Sequence, residues 1–264
     1  MARVTGPTVN LLLRQATSIT PEQAGWRYIG FEVARLAARE SARIETGDRE
    51  LCIVWLSGSC KVATERERWP AVGRRANVFD GIPHALYAPP SSWIELTAIG
   101  DADIAIGSAP AARGAMARHI NESAVRTEVR GTGVFERTIH HILMEDQGAE
   151  RLLVTEVVTP GGNWSSYPPH KHDTNDPPHE TELEETYYFK MRDRRGFALE
   201  RVYTADRSLD ESFAVRDGDL VLVPKGYHTV AAAPGYDCYY LNFMAGPVRQ
   251  WRITFDPDHD RMKW

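Results

Sequence analysis

Long amphipathic helical patterns are scarce along this 264-residue chain, and short β-rich runs stand in their place. The runs cover 51–56, 93–99, 151–158, 186–190, 197–204, 220–223 and 238–244, and clusters of Gly, Pro, Asn and Asp bound them. Sheets made of such runs must bury their apolar faces on one another, so the pattern predicts an all-β sandwich or barrel with few short helices. The length allows one large β domain or two similar ones. Residues 110–123 are polar, Ala-rich and turn-punctuated, and read as a connector.

The two sides of that connector share a grammar. Glu50 opens a strand-like run that ends at Gly58, and Glu185 opens one that ends in a turn at Gly196. Asp80-Gly81 and Pro89-Pro90 are echoed by Asp217-Gly218 and Pro224-Lys225-Gly226. The spacing predicts a degenerate internal duplication, with one unit over 1–125 and a second over 126–264.

Net charge is -5, with 31 Lys+Arg against 36 Asp+Glu, so nothing in the composition favours nucleic acid. No run reaches transmembrane length, and the N-terminal apolar run Val9 to Leu13 contains Asn10 and stops at Arg14, a poor secretion signal. Three cysteines, Cys52, Cys60 and Cys238, show no CxxC pairing. A cytoplasmic protein without membrane or nucleic-acid partners is expected.

The chemistry concentrates in the second half. Side chains two apart on a strand point to the same side, so His170-Lys171-His172 aims two imidazoles at one point and sends Lys171 outward. Glu185 and His228 can add an oxygen and a third nitrogen from neighbouring strands. Three nitrogens and one oxygen suit a divalent transition metal with positions left open for water or substrate. Glu184 and Glu185 are adjacent, so only one can face inward. Leu183, Glu185, Tyr187 and Phe189 form the more apolar parity, which selects Glu185. His179 reads as solvated in a loop, and His84, His140, His141 and His259 have no partner pattern. The first half has no His-x-His, and its equivalent region is read at 34–40, so no metal is expected there.

These motifs resemble the cupin superfamily: His170, His172 and Glu185, then Gly218, Pro224-Lys225-Gly226 and His228. Two departures stand out. The gap from His172 to Glu185 is long, and one residue is missing between Gly226 and His228. The long gap, 173–182, reads as a loop over the barrel mouth that orders on ligand binding. Several stretches are similar to the 5-deoxy-glucuronate isomerase family of bacterial myo-inositol catabolism. They include Thr159-Pro-Gly-Gly-Asn-Trp164, Leu183-Glu-Glu-Thr-Tyr-Tyr188, Arg216-Asp-Gly-Asp219, Val223-Pro-Lys-Gly-Tyr-His228 and Tyr239-Tyr-Leu-Asn-Phe-Met-Ala-Gly246.

The resemblance implies a bicupin of two tandem jelly-roll barrels, the second holding the metal: zinc or manganese first, iron or nickel as alternatives. It implies aldose–ketose isomerisation of 5-deoxy-D-glucuronate to 5-dehydro-2-deoxy-D-gluconate. Two alternatives share the ligand set, an isomerase for 4-deoxy-L-threo-5-hexosulose uronate and an iron-dependent dioxygenase. A non-enzymatic sugar-binding bicupin is a third. A homo-oligomer is expected. For the sugar-acid carboxylate Arg201 is the candidate, sharing parity with Leu199 and Tyr203. Tyr187, Tyr203, Tyr227 and Tyr240 are candidate hydroxyl donors, and Glu182, Asp173 or a metal-bound water the candidate base.

Overall fold

The computed structural model describes residues 10–260. They form four antiparallel sheets of seven, six, five and four strands. Helix is confined to Pro21–Ala24 and two 3-10 turns. The all-β, two-barrel plan implied by the cupin resemblance is therefore the fold. The 220–223 run coincides with the strand Leu220–Val223, and 186–190 sits inside Glu184–Met191.

The six- and four-stranded sheets use residues 18–120, and the seven- and five-stranded sheets use 126–255. Leu12–Leu13 crosses over and pairs with Val221 and Leu220 at the edge of the seven-stranded sheet. The two halves repeat one strand order. Ala85–Ala88, Arg49–Ser57, Ala102–Pro110 and Gly30–Leu36 lie side by side, as do Leu220–Val223, Glu184–Met191, Cys238–Ala245 and Leu153–Thr159. In the smaller sheets Ser41–Glu45, Trp93–Ala98 and Cys60–Ala63 correspond to Trp164–Lys171, Tyr227–Ala232 and Ala198–Tyr203. The strand matching Trp164–Lys171 is thus Ser41–Glu45, not the 34–40 region read from sequence.

Four apolar clusters result. One fills each barrel, a third lies between the two large sheets, packed back to back, and a small fourth joins Met144, Leu153, Leu183 and Met244. Residues of alternate parity on Glu184–Met191 serve different cores: Tyr187, Phe189 and Met191 face their own barrel, while Tyr188 faces the other half. Strands buried on both faces read as continuous apolar runs, which explains why 51–56, 151–158, 220–223 and 238–244 were visible in sequence. Between the sheets Phe243 lies against Phe31 at 6.0 Å between ring centroids. Gly107 permits it, since a Cβ there would sit 2.0 Å from the Phe243 ring. Burying such a phenylalanine stabilises the fold by about 1.5–3 kcal/mol.

Carboxylates lock the halves reciprocally. Glu184 accepts the backbone N–H groups of Arg27, Tyr28 and Ile29 at 2.7, 2.9 and 3.0 Å. Glu50 accepts those of Glu150, Arg151 and Leu152 at 2.8, 2.7 and 2.7 Å. Each gathers three donors that open the chain into a strand of the opposite half. Glu50 is therefore the counterpart of Glu184, one residue off the Glu50–Glu185 match suggested by spacing.

Candidate metal centre and substrate pocket

The second barrel brings the sequence-predicted histidines together. His170 lies at the end of Trp164–Lys171, paired in register with His228 on Tyr227–Ala232. Between Ser165 and His170 the register shifts, a bulge that re-aims the strand end. One donor atom from each of His170, His172 and His228 lies within 4.8 Å of the others. Glu185 reaches two of the three, with Oε2 at 2.9 Å from His172 Nε2 and 3.2 Å from His228 Nε2. All four side chains are buried.

Backbone carbonyls fix the imidazoles. His172 Nδ1 donates to Leu183 O at 3.0 Å and His228 Nδ1 to Gly226 O at 3.1 Å, because a carbonyl can only accept. Gly226 takes φ +93, a left-handed turn suited to glycine, and presents that carbonyl to the ring. With Nδ1 protonated, Nε2 of a neutral ring is a lone pair. Nε2 of His228 is buried without a hydrogen-bond partner, facing a carboxylate oxygen. Lone pairs converging in this way fit a cation between them, held as in sites where a second nitrogen is anchored to the backbone.

Glu185 supplies the negative charge of the cluster. Burial opposes that charge, but the close approach of His172 and His228 outweighs it and holds its pKa at about 2. Burial, then the neighbouring His228 and His172, keep His170 far below the usual imidazole range. Burial works against a charged His172, yet its bond to Glu185 raises it.

The pocket beside this cluster is lined by His170 and Glu185 together with Ser165, Tyr187, Tyr240, Asn242, Trp251 and Phe255. Tyr187 stands 5.6 Å from the His228 ring, and Tyr240 shares a short hydrogen bond with Ser165. Burial raises both phenols, Tyr187 far up and Tyr240 to about 12, so both stay protonated donors.

Other expected site residues lie elsewhere. Arg201 faces out of the barrel, bonded to Asp210 at 2.8 and 2.9 Å. Its strand runs with Ala198, Glu200 and Val202 inward, while Leu199 is 52% exposed, so the parity read from sequence is inverted. Tyr203 donates to Asp256 at 2.5 Å and packs against Tyr227 with the rings tilted by 41°, and neither lines the pocket. Asp173 is bound by Lys171 and by the Gly226 N–H, and Glu182 is exposed, so neither base candidate enters the pocket. Lys171 points outward as expected, and by gripping Asp173 and Glu180 it pins the 173–182 segment. His179 is exposed beside Asp176.

Sequence reasoning missed Glu200. It is 1% exposed, neither oxygen has a hydrogen-bond partner, and burial followed by the Glu185 charge drives its pKa well above the carboxylate range. A folded pKa above the unfolded one stabilises fully below about 4.5 and is lost as pH rises through the folded value. Glu200→Met is therefore expected to gain on the wild type as pH rises, by about 1–3 kcal/mol at pH 8. Urea unfolding at pH 4.5 and pH 8 checks this; a difference that does not change with pH rejects it.

Matching the registers of the two halves makes Leu51 the first-barrel counterpart of Glu185, Ile44 that of His170, Ile94 that of His228 and Val62 that of Glu200. All four belong to or pack on its apolar core.

Comparison with known proteins accords with this geometry. A model of the KduI/IolB family matches residues 10–262. A protein named 5-deoxy-glucuronate isomerase from Geobacillus kaustophilus (strain HTA426) is 52% identical over 243 residues, covering 92% of this chain and 88% of that protein. The crystal structure of an IolB-like protein from Salmonella typhimurium LT2 superposes with a TM-score of 0.93 at 43% identity, covering 96% of this chain and 99% of that one. Oxalate decarboxylase of Lactobacillus farciminis, at 10% identity and TM-score 0.68 over 95% of this chain and 89% of that one, shares the fold. Sequence, strand order and the histidine cluster lead to one conclusion: the chain belongs to the KduI/IolB family.

Proposed function

We propose that the protein is a metal-dependent aldose–ketose isomerase of inositol catabolism, converting 5-deoxy-D-glucuronate to 5-dehydro-2-deoxy-D-gluconate. The observation that carries this reading is the convergence of His170, His172, His228 and Glu185 in one buried cluster. Relatives that bear the isomerase name supply the substrate. The four side chains would hold one divalent cation, zinc or manganese first and iron or nickel otherwise. Such a cation supplies Lewis-acid polarisation of a carbonyl and compensates negative charge on adjacent oxygens. Tyr187 and Tyr240 donate hydrogen bonds to sugar oxygens, and Trp251 and Phe255 exclude water from one side.

The division of labour at about residue 125 belongs to the same proposal. Leu51, Ile44 and Ile94 put apolar side chains where the second barrel has Glu185, His170 and His228, which supports a structural role for the first barrel. Exposed Trp164 and Leu199 on the five-stranded sheet, with exposed Phe197 just before its strand, support a homo-oligomer. A cytoplasmic location is supported by Cys52, Cys60 and Cys238 all being free and buried. Among the described residues no helix is long and apolar enough to cross a membrane.

The test is an NMR assay of 5-deoxy-D-glucuronate and 4-deoxy-L-threo-5-hexosulose uronate, with metal-free and reconstituted protein and an oxygen electrode in line. Conversion of the first substrate, metal-dependent and without oxygen uptake, is expected. Conversion of the second alone, or oxygen consumption, overturns the assignment.

A further inference from the structure

The two departures from the cupin spacing, the long 173–182 segment and the short turn before His228, meet at Asp173. The segment is closed at its neck, where Leu183 N–H donates to His172 O at 2.9 Å and His172 Nδ1 donates to Leu183 O at 3.0 Å. Inside the neck Glu180 is 4% exposed. Its Oε1 accepts the backbone N–H groups of Asp173 and Thr174 at 2.9 and 2.8 Å, and Lys171 Nζ reaches both its oxygens at 2.7 and 2.9 Å. The same ammonium holds Asp173 Oδ1 at 2.6 Å. The other oxygen of Asp173 is thereby aimed at the turn, where it accepts the Gly226 N–H at 2.8 Å. Gly226 passes the constraint on, since its carbonyl accepts His228 Nδ1 at 3.1 Å.

Glycine has the widest backbone freedom of any residue, so the direction of its carbonyl depends on outside contacts. For Gly226, Asp173 supplies the contact at the N–H, and Tyr203 O crowds the chain, 2.6 Å from where a Cβ would stand. A carbonyl that orients a ligating imidazole does so only while it is itself held, and loss of such outer partners costs about 10–100-fold in metal affinity. Resting on the metal-dependent reading above, we propose that Asp173 is a positioning residue of the metal centre: braced by Lys171 and Glu180, it holds Gly226 and through it the ring of His228. The 173–182 segment then acts as a fixed brace and not as a lid.

The variants are Asp173→Ala, Asp173→Asn and Lys171→Met, with His179→Ala as the control, since His179 is exposed in the same segment. Zinc affinity of the full chain is read by competition with a chromophoric chelator, a measurement independent of turnover. Asp173→Ala is expected to raise the zinc Kd by about 10–100-fold, and Asp173→Asn by less, because its amide oxygen can still accept the Gly226 N–H. Lys171→Met supplies a test of sign. Removing a cation beside the centre tightens zinc binding if charge alone acts, whereas a loosened Asp173 weakens it, by about tenfold. His179→Ala should match wild type. At saturating zinc Asp173→Asn should regain most of the wild-type kcat, because the residue sets a ring and touches no reacting atom. Unchanged zinc affinity in Asp173→Ala, or tighter binding in Lys171→Met, overturns the proposal; if Asp173→Ala does not fold, the sign in Lys171→Met decides. Asp173-dependent zinc binding without turnover of either uronate fails the isomerase reading alone, and a wild type that binds neither zinc nor manganese fails both.

Discussion

Glu185→Gln is expected to lower kcat/KM by about a thousandfold, roughly 4 kcal/mol, and to strip the protein of its cation. The substitution keeps shape and removes charge. Glu185 holds its proton only below about pH 2, so at working pH it is the one anion in the histidine cluster. An amide in its place offers a weaker donor and can turn an N–H toward the lone pair of His228. The neighbouring Glu184→Gln makes the sharpest control. Its side chain collects three backbone N–H groups from the other half, so an amide there leaves donors unpaired. It should cost stability, about 1–3 kcal/mol, and leave metal content intact. Metal analysis by atomic emission, steady-state kinetics and urea unfolding on the two variants separate the outcomes. If Glu184→Gln loses the metal and Glu185→Gln retains it, the strand parity behind the centre is wrong.

The clustering of three histidines and Glu185 was legible because its information is local. His170 and His172 are two apart on one strand, a turn glycine delivers His228, and the apolar parity of Leu183, Tyr187 and Phe189 picks Glu185 from its neighbour. The same parity rule misplaced Arg201. It assigns apolar residues to the interior, and Leu199 and Tyr203 drew Arg201 with them. The barrel instead takes in Ala198, Glu200 and Val202, placing an acid inside and a leucine outside. A buried carboxyl without partners violates the rule that makes strands readable. Glu200 is the second half's departure from Val62 in an otherwise repeated architecture.

The strand Arg137–Leu143 was hidden for a different reason. It is buried on both faces, one toward its own barrel and one toward the other half. Alternation disappears, and His140 and His141 interrupt the apolar run that would have marked it. The crossover of Leu12–Leu13 was equally invisible, since a two-residue pairing carries no periodic signal. Contacts joining distant segments, such as Arg75 with Glu156, leave no trace in spacing at all.

That last pair carries the largest expected effect on stability. Arg75 comes from the first half and Glu156 from the second, and they meet fork to fork at 2.8 and 2.9 Å, both buried. Glu156 also accepts from Tyr239 at 2.9 Å and lies 2.8 Å from His140 Nδ1, while Arg75 donates to Trp55 O at 3.0 Å. Arg75→Met leaves a buried carboxylate facing a thioether and is expected to cost about 3–5 kcal/mol. The double variant Arg75→Met, Glu156→Gln should recover part of that, because the cost lies in the orphaned charge. The pH dependence has a definite sign. Burial raises the Glu156 pKa, but the Arg75 charge and the His140 and Arg75 bonds overcome it and bring it to about 2. A folded pKa below the unfolded 4.5 means the contribution is full above about pH 4.5 and fades as pH falls toward 2. The gap between wild type and Arg75→Met should therefore be widest near pH 7 and narrow by pH 3. Urea unfolding at the two pH values measures it. A gap under about 1 kcal/mol at pH 7 would mean that the fork adds little to holding the barrels together. A gap equal at both pH values would mean that it acts through packing rather than charge.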